Sequence, residues 1–138
     1  MKKSGKSYTM KLSDKVKKLI DGKNLASVAT IMPDGSPQIA PVWVDRDGDT
    51  IILNATNSRQ RTKNLKRDPR IAISIFDQMN IYSNASIRGK VIDITEKGAE
   101  EHIDKLNMKY NGTPKYAYHN PKDPRVLLRV EATHIHEM

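Results

Sequence analysis

The chain contains no cysteine. That excludes disulfides, thiolate nucleophiles and thiolate-ligated metals, and it fits a reducing compartment. Aromatic residues are scarce as well, at 5% of the total, with one tryptophan and one phenylalanine. Stacking platforms for single-stranded nucleic acid draw on more of them. No apolar run approaches the roughly 20 residues that span a bilayer, and the first residues lack the apolar centre of a signal peptide. A cytoplasmic protein with no membrane partner is expected. Acidic residues are outnumbered, 16 against 24 lysines and arginines, leaving a formal charge of +8. Such a balance points to an anionic partner, whether nucleotide, nucleic acid or membrane surface.

What is present makes about one domain, since 138 residues can bury a single core of ordinary size. Residues 1–12, opening MKKSGKS, read as a mobile basic tail, and residues 13–138 as the domain. Ser4-Gly5-Lys6-Ser7 has the lettering of the end of a phosphate-binding loop but neither the preceding strand nor the first glycine, so no such loop is expected.

The periodicities give two or three helices and six or seven strands. Ser13-Asp14 caps a short helix carrying Val16, Leu19 and Ile20, which Gly22 closes. Leu25 to Met32 alternates as a strand, and Pro33-Asp34-Gly35-Ser36 turns the chain into a second strand, Pro37 to Asp45. Pro41 inside that strand cannot donate to a ladder, which predicts an edge position or a bulge. Asp45 to Asp49 reads as a hairpin loop, and Thr50 to Thr56 as a strand whose apolar run breaks at Asn54. Ile71 to Phe76 and Ile81 to Thr95 are strands, with a bend or bulge expected at Gly89 in the second. Glu96 to Tyr110 reads as a helix, Asn111 to Pro124 as a long loop, and Arg125 to Met138 as a final strand. Strands that follow one another without crossover helices favour an antiparallel barrel.

Chemistry concentrates between Asn57 and Arg70. Six of these fourteen residues are basic (Arg59, Arg61, Lys63, Lys66, Arg67, Arg70), against a single acid, Asp68. Asn57 or Ser58 suits an N-cap, and Asp68-Pro69 a stop. A helix start offers free N–H groups and a positive dipole end, so Arg59, Arg61 and the Thr62 hydroxyl there make a seat for a phosphate. Within a helix Arg59, Thr62 and Lys63 would share one face and Arg61 the opposite one. Both arginines reach one anion only if the helix begins near Arg61 and Arg59 lies on an extended lead-in. Lys66, Arg67 and Arg70 are expected to be solvated; a fully solvated charged helix is the competing reading.

The ordered set Pro33-Asp34-Gly35-x-Pro37-Gln38, Pro41-Val42-Trp43, Arg59-x-Arg61-Thr62-x-Asn64-Leu65-x-x-Asp68-Pro69-Arg70 and Asp123-Pro124-Arg125-Val126-Leu127-Leu128 resembles the pyridoxamine 5′-phosphate oxidase-like split-barrel proteins. The resemblance runs from about Leu25 to Ile135 and is strongest with the small branch that uses FMN or the deazaflavin coenzyme F-420. It implies a mainly β fold, a six-stranded antiparallel split β-barrel with peripheral helices, and a homodimer with cofactor sites at the subunit interface. It places the flavin phosphate at Arg59, Arg61 and Thr62, with Lys63 beside them. Ring contacts would come from Gln38, Pro41, Val42, Trp43, Asn54, Ala55 and Thr56, and from Tyr82 of the second subunit. The implied activity is hydride or electron transfer between FMN, or alternatively F-420, and a small molecule. The chain is shorter than the vitamin B6 oxidases and does not carry their C-terminal substrate-binding extension, so pyridoxamine phosphate is not the expected substrate.

Other readings of these residues are plainer. Trp43 reads equally as a core or interface aromatic, Pro41 as an edge-strand device and Tyr82 as an interface contact. His134 and His136 share a strand face without a third ligand, so no metal site is expected. His102, flanked by Glu101 and Asp104, is expected in solvent; His119 lies in the long loop, where it could line a pocket. Two further functions stand beside an oxidoreductase: a flavin carrier or sensor without turnover, and a basic nucleic-acid-binding protein.

Overall fold

The strands found in the computed structural model, which describes residues 10–138, follow the alternation of the sequence. β1 (Ala26–Ile31) buries Ala26, Val28 and Thr30 and turns Ser27, Ala29 and Ile31 the other way. A turn with Gly35 at φ +88° leads into β2 (Pro37–Val42), where Pro41 lies opposite Ser27 on the outermost strand. The missing N–H of Pro41 therefore faces no neighbour, as the edge position requires. β3 (Asp45–Asp47), β4 (Thr50–Thr56), β5 (Arg70–Asp77), β6 (Asn80–Thr95) and β7 (Arg125–Glu137) complete one antiparallel sheet in the order β2-β1-β5-β6-β7-β4-β3. β2 and β3 do not pair with each other, so the sheet curls into a barrel that stays split.

The seven strands are within the six or seven expected; what differs is Asp45–Asp47, which is not loop but a short strand paired with Thr50–Ile52. The hairpin turn shrinks to Gly48 and Asp49, with Gly48 at φ +61°. At Gly89 the expected bulge is present: the β6–β7 register shifts between Arg88 and Gly89. A Cβ there would come within 2.2 Å of the Glu131 carbonyl oxygen, so only glycine permits the strands to approach this closely.

The core lies between α1 (Asp14–Asp21) and the inner sheet face, where Val16, Leu19 and Ile20 meet Val28, Ile75 and Leu128. Burying each such side chain contributes about 1.5–3 kcal/mol. Leu12 belongs to this core, and its N–H donates to Asp49 Oδ1 at 3.0 Å. The expected tail therefore cannot extend to residue 12; its first nine residues, with the Ser4–Ser7 motif, lie outside the described residues. β7 is buried on both faces over its first half, because α3 (Ala99–Asn111) covers the side away from α1, with Ile52, Ala99 and Leu127 packed together there. α3 starts at Ala99 rather than Glu96, since Gly98 adopts φ +81° immediately before it. Residues 112–124 form the long loop, and no helix among the described residues is long and apolar enough to cross a membrane.

Candidate functional site

α2 (Gln60–Arg67) begins against the usual grammar of helices. Ser, Thr, Asp or Asn ordinarily caps a helix start, and acids favour its first turn. Here the cap residue is Arg59, in extended conformation at φ −62° and ψ 140°, with no side-chain cap and no acid in the first turn. Neither Asn57 nor Ser58 caps the helix, as was expected of one of them. Ser58 instead ties the lead-in to the loop before β7, donating from N and Oγ to Asp123 at 3.0 and 2.5 Å. Because Arg59 precedes the helix while Arg61 lies within it, both side chains reach one cavity.

That cavity, about 390 Å³, is lined by both basic and apolar side chains. Arg59, Arg61 and Arg125 are the basic ones; Pro41 and Val42 at the end of β2, Trp43 just after it, Leu106 of α3 and Tyr116 and Tyr118 of the loop supply apolar and aromatic surface. Its size is that of a pocket for one cofactor-sized molecule. Trp43 is held flat against Tyr110, ring centroids 5.1 Å apart and 5° between planes, and meets the edge of Tyr116 at 6.0 Å. The Tyr110 hydroxyl is fixed in turn, donating to Asn24 O at 2.7 Å and accepting from Val44 N at 3.2 Å.

Arg61 is 7% exposed, and its Nε has no hydrogen-bond partner among the described residues. Burial, with the positive charges of Arg59 and Arg125, lowers its pKa to about 10, so it remains charged at neutral pH. Among the described residues the arginines in ion pairs are Arg46, Arg70 and Arg129, none of them in the cavity. A buried cation without a partner is strongly destabilising, and an orphaned donor adds its own desolvation cost of about 1–3 kcal/mol. An anion between the guanidinium groups and the uncapped helix N–H groups removes both penalties. The donor set therefore fits a phosphate-bearing ligand.

Of the twelve residues expected at a cofactor site, Pro41, Val42, Trp43, Asn54, Arg59 and Arg61 line this cavity. The others lie elsewhere. Thr62 is fully buried and donates its hydroxyl to Thr56 O at 2.8 Å, fixing the turn from β4 into α2. Thr56 contributes that carbonyl, which also accepts from Arg59 N at 3.2 Å. Ala55 is in the core, Gln38 reaches Thr30 Oγ1 at 3.5 Å, and Lys63 points to solvent. Tyr82 is 74% exposed on β6. Lys66 donates to Asn57 Oδ1 at 2.7 Å, Arg67 to the Ile31 carbonyl, and Arg70 pairs with Asp68 at 2.7 Å.

Two histidines hold more than expected. His102 is not in solvent: its Nε2 meets Asp45 Oδ2 at 3.0 Å and its Nδ1 meets Asn54 Nδ2 at 3.1 Å. Hydrogen bonds from His102 and Arg46 N–H and the charge of Lys105 outweigh the upward push of burial on Asp45, whose pKa is held well below the carboxylate range. His119 clamps the loop to α3, with Nε2 2.7 Å from Asp104 and Nδ1 2.6 Å from Glu100. His134 and His136 are exposed on β7 and no third metal-ligating side chain joins them among the described residues.

A larger groove of about 530 Å³ runs over the outer faces of β1, β5 and β6, floored by short side chains such as Ser27, Ala29, Ala72, Ser74 and Ser86. Its basic side chains, Arg88, His134 and His136, are exposed rather than buried, so it lacks the preorganised cations of the smaller cavity.

Comparisons with known proteins agree with this fold. Residues 12–138 match the family model described as pyridoxamine 5′-phosphate oxidase. The chain is similar to a structure named F420 reductase at 29% identity and a TM-score of 0.79, covering 91% of this chain and 98% of that one. A conserved hypothetical protein from Mycobacterium tuberculosis matches at 21% identity and TM-score 0.72, over 97% of this chain and 89% of that one. HupZ of Group A Streptococcus matches at 23% identity and TM-score 0.69, over 92% and 94%. These last two establish the shared fold alone.

Proposed function

The chain belongs to the pyridoxamine 5′-phosphate oxidase family, and on that footing we propose that it is an oxidoreductase holding a phosphorylated flavin or deazaflavin in the cavity beside α2. Arg61 carries the reading: a buried guanidinium whose Nε has no partner among the described residues, next to a helix start without a side-chain cap. FMN is the first choice of ligand. The deazaflavin coenzyme F-420 is the alternative, supported by the likeness to the F420 reductase and by the basic balance of the chain.

When bound, such a group supplies the hydride or electron transfer; the protein supplies binding, orientation and electrostatics. Arg59, Arg61 and the first-turn N–H groups of α2 hold the anionic end. Pro41, Val42 and Trp43 present a flat apolar wall for the ring, and the Tyr110 stack behind Trp43 keeps that wall from yielding. Tyr116 and Tyr118 limit water access from the loop side. The second substrate is a small molecule admitted to the open part of the cavity.

The working form in this reading is a homodimer with one site at each end of the interface. Support comes from the small-residue groove on the outer sheet face, which exposed Ile39 lines, and from exposed Phe76 on β5 and Ile81 and Tyr82 on β6. An apolar patch of this kind is more typical of an interface than of a free surface.

Mass spectrometry of whatever small molecule co-purifies, followed by titration with FMN and F-420, tests the reading. Binding at about micromolar affinity or tighter is expected for one of them. An Arg59→Gln/Arg61→Met double variant that bound every flavin and deazaflavin as well as wild type would overturn the site.

A further inference from the structure

Arg125 stood in the sequence only as part of the Asp123–Leu128 motif and not among the expected site residues, yet it lines the cavity and is more deeply buried than Arg59. It opens β7, where it pairs in register with Thr56, three residues before Arg59. Its backbone N–H donates to Glu100 Oε2 at 2.8 Å, its side chain is almost wholly buried, and its guanidinium carbon lies 5.1 Å from the Tyr116 ring centroid. The partner of its Nε is a neutral group: Asn54 Oδ1, at 2.6 Å.

Asn54 is itself fully engaged. Its oxygen faces the Arg125 N–H, so its nitrogen must be the atom facing Ala99 O at 2.9 Å and His102 Nδ1 at 3.1 Å. An amide nitrogen only donates, which makes His102 Nδ1 an acceptor and puts the imidazole proton on Nε2. That proton is donated to Asp45 Oδ2 at 3.0 Å. Every link from Asp45 through His102 and Asn54 to Arg125 thus has one consistent donor and one acceptor. Such a network fixes a side chain in one rotamer.

We infer that Arg125 is a third anion-contacting group of this cavity, and that Asn54, backed by His102 and Asp45, is the positioning residue that aims it. The inference rests on reading the cavity as the seat of a phosphorylated ligand, and it names a contact that reading does not contain. It also reassigns Asn54: with all its polar atoms engaged in the wall, the residue has no free donor for the ring. A lone structural role for Arg125, tying the Tyr116 loop to β7, explains the stacking but not the neutral partner on a buried cation beside two others. The third guanidinium suits an anionic end that a planar donor fork can grip, as phosphate is gripped by arginine in preference to lysine.

The test compares FMN with riboflavin, which lacks the phosphate, on the full chain. In Arg125→Gln, FMN binding should fall at least about tenfold while riboflavin binding moves by less than about threefold. Arg125→Lys, which keeps charge and apolar stem, should recover part of the loss. Asn54→Leu should shift the FMN-to-riboflavin ratio in the same direction by a smaller factor, and the Asn54→Leu/Arg125→Gln pair should be no worse than Arg125→Gln alone, because the two act as one unit. An unchanged ratio in Arg125→Gln and Arg125→Lys would overturn the role of Arg125, whereas additive losses in the double variant would overturn that of Asn54. If the wild type bound neither flavin nor deazaflavin, the proposed function would fall. Inorganic phosphate would then still read out Arg125, by raising the melting temperature of wild type more than that of Arg125→Lys; equal shifts would overturn the inference.

Discussion

α1 and α2 are both eight residues long, and their first turns are opposites. α1 is complete in itself: the Ser13 side chain accepts from Val16 N at 3.2 Å, and Asp14 places a negative charge at the positive end of the helix. α2 has neither a cap nor an acid, and sets Arg59 and Arg61 where the dipole repels them. The same chain therefore shows that it can start a helix well and, at the cavity, does not. In the proposed reading the bound anion meets the deficit at α2, which is how a binding site differs from a scaffold element.

Substitutions at the two helix starts should separate along these lines. The largest effect belongs to the double Arg59→Gln/Arg61→Met variant, which should weaken binding of FMN or F-420 by about 3 kcal/mol in a calorimetric titration. Next comes stability without ligand. Arg61→Met replaces an unpaired buried cation with an apolar chain of similar length and should raise resistance to urea by about 1–2 kcal/mol. Ser13→Ala should do the reverse at α1, lowering stability by about 1 kcal/mol and leaving ligand affinity unchanged. If Arg61→Met destabilised the protein as Ser13→Ala does, the two starts would be alike and the contrast would be lost.

A smaller effect concerns the loop that carries Tyr116. Hydrogen bonds to Asp104 and Glu100 raise the pKa of His119 above its ordinary value. A raised folded value means that the clamp is fully formed below the unfolded value of about 6.5 and is lost as pH rises through the folded one. Hydrogen exchange across residues 113–120, corrected for its intrinsic pH dependence, should therefore quicken as pH rises above about 6.5. In His119→Gln that pH dependence should vanish.

The strands were legible because their alternation is strict, and Pro41 and Gly89 announced an edge and a bulge through what a missing N–H and a missing Cβ allow. Asp45–Asp47 was not legible as a strand, since three polar residues carry no periodicity and are held only by pairing with Thr50–Ile52. At the site, Arg59 and Arg61 could be recognised from spacing once the helix start was placed between them. Arg125, Asn54 and His102 could not be joined, because their contact depends on the β4–β7 register and on α3 packing over both strands. The Thr62 hydroxyl shows the opposite failure: its residue type suited an anion, but its position inside the first turn of α2 directs it to the Thr56 carbonyl.

The most direct test of the central claim is a side-by-side calorimetric titration of the unmodified chain with FMN and with riboflavin. The account predicts FMN binding at about micromolar affinity or tighter and riboflavin binding at least about a hundredfold weaker, the phosphate supplying roughly 3 kcal/mol. Equal affinity for the two would contradict it, because the start of α2 would then have no anion to hold.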